Sequence, residues 1–144
     1  MPRSSSGWTI AVFGVLAFIL GLVGLFSPST LLGMLGFEAL EQRAPGDYTL
    51  VYMAASSMAA INMGVYYVFA AASEFRSFYL WTVPFRLVTF SVFTFLVVTE
   101  AAPAEFIGVG LWEGVGALIT GVALWIESRR GVTTRWIPER QLVA

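Results

Sequence analysis

The stretch WTIAVFGVLAFILGLVGLF, residues 8–26, carries no charged side chain and decides the fold class. A bilayer core about 30 Å thick is crossed by roughly 20 apolar residues in helical form, and this stretch is of that length. A backbone in hydrocarbon must satisfy its own amides and carbonyls, and a helix does so within one segment. The pattern therefore predicts a helix that crosses a membrane close to the N-terminus.

Three later stretches share this character and predict further spans at 48–73, 78–99 and 106–126. The first of them is uncharged, and the other two contain one charge each, Arg86 and Glu113. Their connections are short, which favours antiparallel neighbours in up-down order. The residues after Ser27-Pro28 predict a short amphipathic helix. We therefore expect an all-α fold, a transmembrane antiparallel four-helix bundle with a short interfacial helix between spans 1 and 2, in one domain over residues 1–144.

The composition agrees with a membrane protein and excludes several chemistries. Apolar residues make up 58% of the chain and charged residues 12%, against about 45–50% and about 25% in soluble domains. The net charge of −1 predicts no nucleic-acid partner. Cysteine and histidine are absent, so thiol nucleophiles, imidazole bases and the usual zinc or haem ligands are excluded. We expect no metal site and no cofactor.

The arginines are distributed unequally between the two sides of the four-span arrangement. Six of them fall on the side of the termini: Arg3, Arg76, Arg129, Arg130, Arg135 and Arg140. Only Arg43 falls on the other side, which carries mainly acidic residues. Because basic loops stay in the cytoplasm, we expect a multi-pass protein of the cell (inner) membrane with both termini cytoplasmic and residues 127–144 as a tail.

The two charges inside the spans predict a buried polar layer. At about 1.5 Å per residue, Arg86 lies about 12 Å and Glu113 about 20 Å from the cytoplasmic edge, with Asn62 between them at about 16 Å. Ionisable residues within spans usually face the bundle interior and one another. We therefore expect Arg86 and Glu113 to be in contact, with Asn62, Tyr66 and Trp112 lining the same layer.

This layer allows a structural and several functional interpretations. An Arg–Glu pair beside an Asn can serve only to fix helix register. If the layer is functional, the first hypothesis is a non-enzymatic accessory protein or a binder of a lipophilic small molecule. The alternatives are an oligomeric proton-coupled transporter component, and a membrane-embedded acid–base enzyme, an isomerase or cyclase, that uses Glu113 on a hydrophobic substrate. The expected partners are the lipid bilayer, a second copy or a larger membrane complex, and a lipophilic small molecule.

The layout resembles the small four-span bacterial membrane proteins of unknown function called the BphX-like group. The resemblance rests on a P-x-x-L-L-G-x-L-G link from Pro28 to Gly36, on the arginine inside span three, and on Trp112-Glu113-Gly114 in span four. It covers most of residues 28–125. The resemblance implies four spans and no established activity.

Overall fold

The computed structural model describes residues 1–38 and 44–132, and its regular elements there are all helical. They are α1 (Ser5–Phe26), α2 (Pro28–Met34), α3 (Thr49–Ala72), α4 (Arg76–Val98) and α5 (Ile107–Arg129), with a 3₁₀ turn at Ala104–Phe106. The four long helices end within three residues of the predicted spans. The predicted all-α bundle with a short helix after the first span is confirmed. Arg43, Arg135 and Arg140 lie outside the described residues.

The four long helices are each long and apolar enough to cross a membrane. Their outer faces carry large apolar side chains that remain exposed in the folded chain, such as Phe85, Phe95 and Val98. A soluble protein seldom leaves so much apolar surface contiguous, whereas lipid is the appropriate solvent for it. These features indicate a small multi-pass membrane protein.

Close contact between α1 and α3 depends on glycines that face each other. A Cβ added at Gly14 would lie 2.9 Å from the carbonyl oxygen of Gly64 and 2.7 Å from the Cβ of Tyr67. Seven residues further along α1, a Cβ at Gly21 would lie 2.8 Å from the carbonyl oxygen of Ser57. Small residues repeated at this spacing let two backbones approach directly, which is a common way to pack helices in membranes.

The helices pair as α1 with α3 and α4 with α5, and α1 also contacts α5. In contrast, α3 and α4 touch little, although only residues 73–75 connect them. The two helices are antiparallel neighbours, as their short connection predicts, but they contact each other less than the other pairs of sequential spans do. The facing side chains are bulky there, since the rings of Tyr67 and Phe78 meet edge to face at 5.0 Å. The bundle is therefore open between α3 and α4.

Contacts at the far end of the bundle confirm the antiparallel arrangement. The ring of Phe37, after α2, meets that of Phe106, before α5, at 5.7 Å. Gly36 has a φ of +79°, and a Cβ at this position would collide with the carboxylate of Glu105. Only glycine combines this backbone conformation with so close an approach. The α1–α3 and α4–α5 connections thus lie together at one end of the bundle.

Candidate functional site

Arg86 and Glu113 form an ion pair inside the bundle, between α4 and α5. Nε of Arg86 donates to Oε2 of Glu113 at 2.9 Å, and Nη2 donates to the carbonyl oxygen of Trp112 at 3.3 Å. Arg86 is 3% exposed, and the side chain of Glu113 is 18% exposed. The predicted contact between the two charges is confirmed, because two long side chains bridge the difference in depth.

The guanidinium of Arg86 is held in place by its neighbours. Its central carbon lies 3.5 Å from the centroid of the Phe13 ring, and this ring stacks on Trp112 with centroids 5.0 Å apart. On its other side, a Cβ at Gly116 would overlap Nη2. A cation over an aromatic face is attracted to it, most strongly where water is excluded. The absence of a side chain at Gly116 therefore makes the space that the guanidinium occupies.

One nitrogen of this guanidinium is left without a partner. Nη1 of Arg86 is buried, and it makes no hydrogen bond within the described part of the chain. A buried donor that is not satisfied costs about 1–3 kcal/mol, and such groups in native proteins call for a specific explanation. The guanidinium thus keeps one unused hydrogen-bond donor next to the ion pair.

A cleft of about 580 Å³ adjoins the ion pair and opens between α3 and α4. All four long helices contribute to it, and most of its lining is apolar or aromatic. It is lined by Phe13, Ala17, Leu20, Ala60, Met63, Tyr67, Phe78, Trp81, Thr82, Phe85, Arg86, Thr89, Val109, Trp112 and Glu113. The volume lies within the range of about 300–1,000 Å³ that is typical of small-molecule sites. We call it the α3–α4 cleft.

Tyr67 and Thr82 contribute a second polar group to the wall of the α3–α4 cleft. Their hydroxyl groups are hydrogen-bonded to each other across α3 and α4, and both residues are buried. From the sequence, Tyr67 is one of several aromatic residues that could line a pocket near the layer, and Thr82 lies one turn from Arg86 on the same face of its span, but no contact between the two is predicted. The available signal was that Tyr67 lies three residues after Gly64, on the face that small residues turn toward α1.

Asn62 and Tyr66 do not belong to the buried layer, and their predicted placement is wrong. Both are exposed on α3, Tyr66 at 58%. Counting residues along the span predicts how deep Asn62 lies in the membrane, but it does not predict the direction in which its side chain points. Asn62 precedes Gly64 by two residues, which places it about 200° around the helix from the face that meets α1. Trp112, in contrast, joins the predicted layer through its carbonyl group and its ring.

A second polar cluster lies at the end of the bundle where the described chain begins. Glu74, after α3, accepts hydrogen bonds from the backbone amide of Ser4 at 2.9 Å and its hydroxyl group at 2.7 Å. Glu127 of α5 accepts from the amide and hydroxyl of Ser6, and Arg76 pairs with Glu127. Carboxylates at a helix N-terminus are favoured by its dipole and its free amides. This cluster, absent from the sequence-based predictions, connects the N-terminus of α1 to the end of α3, the start of α4 and the end of α5.

The environment of Glu74 lowers the pKa of its carboxyl group. Partial burial raises this pKa, but hydrogen bonds from the Ser4 hydroxyl and the amides of Arg3 and Ser4, together with the charge of Arg76, outweigh that effect. Glu74 is thus ionised at neutral pH and accepts hydrogen bonds from Ser4, the N-cap residue of α1. The cluster is a structural connection, and none of its residues is among those that line the α3–α4 cleft.

The site has acidic, basic and aromatic groups, but the described residues hold no group of three side chains suited to bind a metal. What the arrangement offers is a hydrogen-bond donor and an ion pair at the wall of an apolar cleft. Comparison with models of known families, with curated proteins and with solved structures finds no match for this chain.

Proposed function

We propose that this small membrane protein binds a neutral lipophilic molecule, one that carries a carbonyl or similar oxygen, in the α3–α4 cleft. The observation that carries the proposal is Nη1 of Arg86, a buried donor without a partner beside an apolar cleft. An acceptor oxygen of a ligand would satisfy this nitrogen. In this role the protein is a binder or accessory protein and not an enzyme. The resemblance to the BphX-like group remains a prediction and adds no activity.

The charge of the site favours a neutral ligand. Arg86 is neutralised by Glu113 at 2.9 Å, so the pair as a whole has no net charge. A carboxylate ligand would compete with Glu113 for the guanidinium, and it would bring an uncompensated charge into a region of low dielectric. A ketone, ester or amide oxygen accepts a hydrogen bond without either penalty. We therefore infer a ligand of this class with an apolar body.

Access to the cleft supports a ligand that dissolves in the bilayer. The opening lies between two spanning helices, and side chains at its rim, such as Phe85 and Met63, are exposed to the surroundings of the bundle. A lipophilic molecule can reach this opening by lateral diffusion in the hydrocarbon. The aromatic walls then bury its apolar body, as in most small-molecule sites.

The first experiment measures binding by thermal unfolding of the full chain in nanodiscs. We expect 2-undecanone to raise Tm by a few degrees and undecane, which has no acceptor, to raise it much less. Ala60→Phe places a ring in the cleft from α3, while the ion pair lies between α4 and α5, and it should abolish the effect of the ketone. Val122→Phe, on the exposed face of α5, is the matched control and should preserve it. Equal effects of ketone and alkane, or unchanged binding by Ala60→Phe, would contradict the proposal.

A second experiment tests the argument from charge. Glu113→Gln leaves Arg86 with a net positive charge, so the preference should change from 2-undecanone to undecanoate. The fold of the variant is checked by its Tm without ligand, because an unpaired buried charge lowers stability by about 3–5 kcal/mol. A folded variant that still prefers the ketone would refute the charge argument.

The same variant separates the proposal from its two alternatives. Proton-coupled transport and acid–base catalysis both require Glu113 to carry a proton during the cycle. In either case Glu113→Gln would abolish turnover, whatever ligand it binds. If the wild-type protein in liposomes moves protons with an added solute, and Glu113→Gln does not, the transporter hypothesis replaces ours.

The distribution of charge at the two ends supports both termini in the cytoplasm, and we propose this orientation in the cell (inner) membrane. The end of the bundle that holds the N-terminus of α1 and the C-terminus of α5 carries four arginines: Arg3, Arg76, Arg129 and Arg130. Glu100 and Glu105 lie at the other end. The positive-inside rule places the arginine-rich end in the cytoplasm.

A further inference from the structure

The face of α3 that points away from α1 has a regular pattern of exposed residues. They follow each other at alternating spacings of three and four: Tyr52, Ala55, Ala59, Asn62 and Tyr66. This alternation places them on one stripe of the helix, as at the contact positions of a left-handed coiled coil. A span that faces only lipid has no need of this spacing or of these small and polar residues.

Asn62 is the unusual residue of this stripe. It lies near the middle of Thr49–Ala72, where no water is available in a bilayer. Its carboxamide is exposed and makes no hydrogen bond to any other described residue. A carboxamide in hydrocarbon is unfavourable unless it finds a partner, so polar residues within spans commonly bond to another helix.

We propose that two copies of this chain form a parallel symmetric dimer through α3, with the Asn62 carboxamides hydrogen-bonded to each other. Copies of one chain insert in the same orientation, so the two α3 helices run parallel around an axis along the membrane normal. In such a dimer each stripe residue meets its own equivalent. A carboxamide carries both donor and acceptor and is therefore complementary to itself. Ala55 and Ala59 allow the backbones to approach closely on one side of Asn62.

The dimer leaves the α3–α4 cleft free. The α3 residues that line this cleft are Ala60, Met63 and Tyr67, each one position after a stripe residue and so about 100° further around the helix. The proposal consequently does not depend on ligand binding, and the failure of one would leave the other intact.

The test uses the absence of cysteine from the chain, because one introduced cysteine forms a disulfide only between two molecules. We expect Ala59→Cys to form a disulfide-linked dimer when membranes containing the protein are treated with an oxidant. Val88→Cys is the matched control, since Val88 is 59% exposed on α4 at a similar depth. It should remain largely monomeric under the same conditions.

A second variant tests the role of the carboxamide. In the Ala59→Cys background, Asn62→Leu should reduce the dimer yield about tenfold, as expected for the loss of an interhelical hydrogen bond, and Asn62→Gln should restore part of it. Circular dichroism and Tm check that the variants remain folded. Three results would overturn the proposal: equal cross-linking of Ala59→Cys and Val88→Cys, no effect of Asn62→Leu, or an Ala59→Cys adduct with a different protein.

Discussion

Gly116 is the residue whose size most directly controls the buried ion pair. A Cβ at this position would overlap Nη2 of Arg86, and the space around the guanidinium is already occupied by Phe13 and Trp112. Gly116→Ala should therefore displace Arg86, weaken its hydrogen bond to Glu113 and lower the free energy of unfolding by about 1–3 kcal/mol. Unfolding of the purified variant in detergent, followed by circular dichroism, measures this change.

The control is another glycine in the same helix. A Cβ at Gly121 would lie 3.7 Å from Cγ1 of Val83, an ordinary van der Waals contact. Gly121→Ala should leave stability unchanged or raise it, because alanine is favoured over glycine within a helix by up to about 1 kcal/mol. Equal losses in the two variants would show that the guanidinium is not what makes Gly116 necessary.

At the scale of helices, α3 and α4 end in the same way on two glutamates. Glu74 has a φ of +52° and Glu100 a φ of +58°. In each case the amide of the next residue donates to a carbonyl five residues back, Phe75 to Ala70 and Ala101 to Leu96. Glycine normally takes the left-handed position of this motif. The two helices thus share a strained end, but among the described residues only Glu74 has hydrogen-bond partners for its carboxylate.

The two helix ends predict opposite effects of the same substitution, glutamate to glycine. Glu100→Gly removes the steric strain of the left-handed conformation, but it also gives the unfolded chain more conformational entropy. The net effect should be a stabilisation of the protein by about 0.5 kcal/mol. Glu74→Gly relieves the same strain but removes three hydrogen bonds from Arg3 and Ser4, so it should destabilise the protein by about 1 kcal/mol or more. Tm values in detergent measure both changes. Tm shifts in the same direction would mean that the hydrogen bonds from Arg3 and Ser4 to Glu74 contribute little to stability.

The elements could be predicted from the sequence more completely than their contacts. Uncharged runs of the right length specify spanning helices, and two lone charges of opposite sign at similar depth specify a contact between α4 and α5. The face of each helix is harder to predict, as the wrong placement of Asn62 shows. The repeat of Gly14 and Gly21 against Gly64 and Ser57 carried this information, since small residues mark the side where backbones meet.

The α3–α4 cleft and the polar cluster at the start of α1 could not be predicted in the same way. The cleft lies between side chains from all four long helices, and which of these side chains face one another becomes known only once the helices are arranged. Glu74 and Glu127 are charges at the ends of spans, where acidic residues are common. Their role depends on the N-terminus of α1 lying beside them, which is a property of the assembled bundle.

For the whole molecule, the proposed orientation can be tested with single cysteines in a chain that has none. Ala101, between α4 and α5, and Ser128, near the end of α5, are both exposed and lie at opposite ends of the bundle. In intact cells, a membrane-impermeant maleimide should label Ala101→Cys, while Ser128→Cys should react only after lysis. The reverse pattern would place the termini outside the cytoplasm and contradict the positive-inside argument.

The ion pair between α4 and α5 also affects how the nascent protein enters the membrane. Arg86 leaves the ribosome 27 residues ahead of Glu113, so its helix reaches the translocation channel before the counterion has been synthesised. A lone arginine opposes partition of such a helix into lipid by roughly 2.5–3.5 kcal/mol. We therefore expect the arginine-bearing segment to enter lipid more readily once the glutamate-bearing segment has been synthesised, so that the two segments insert together as a hairpin.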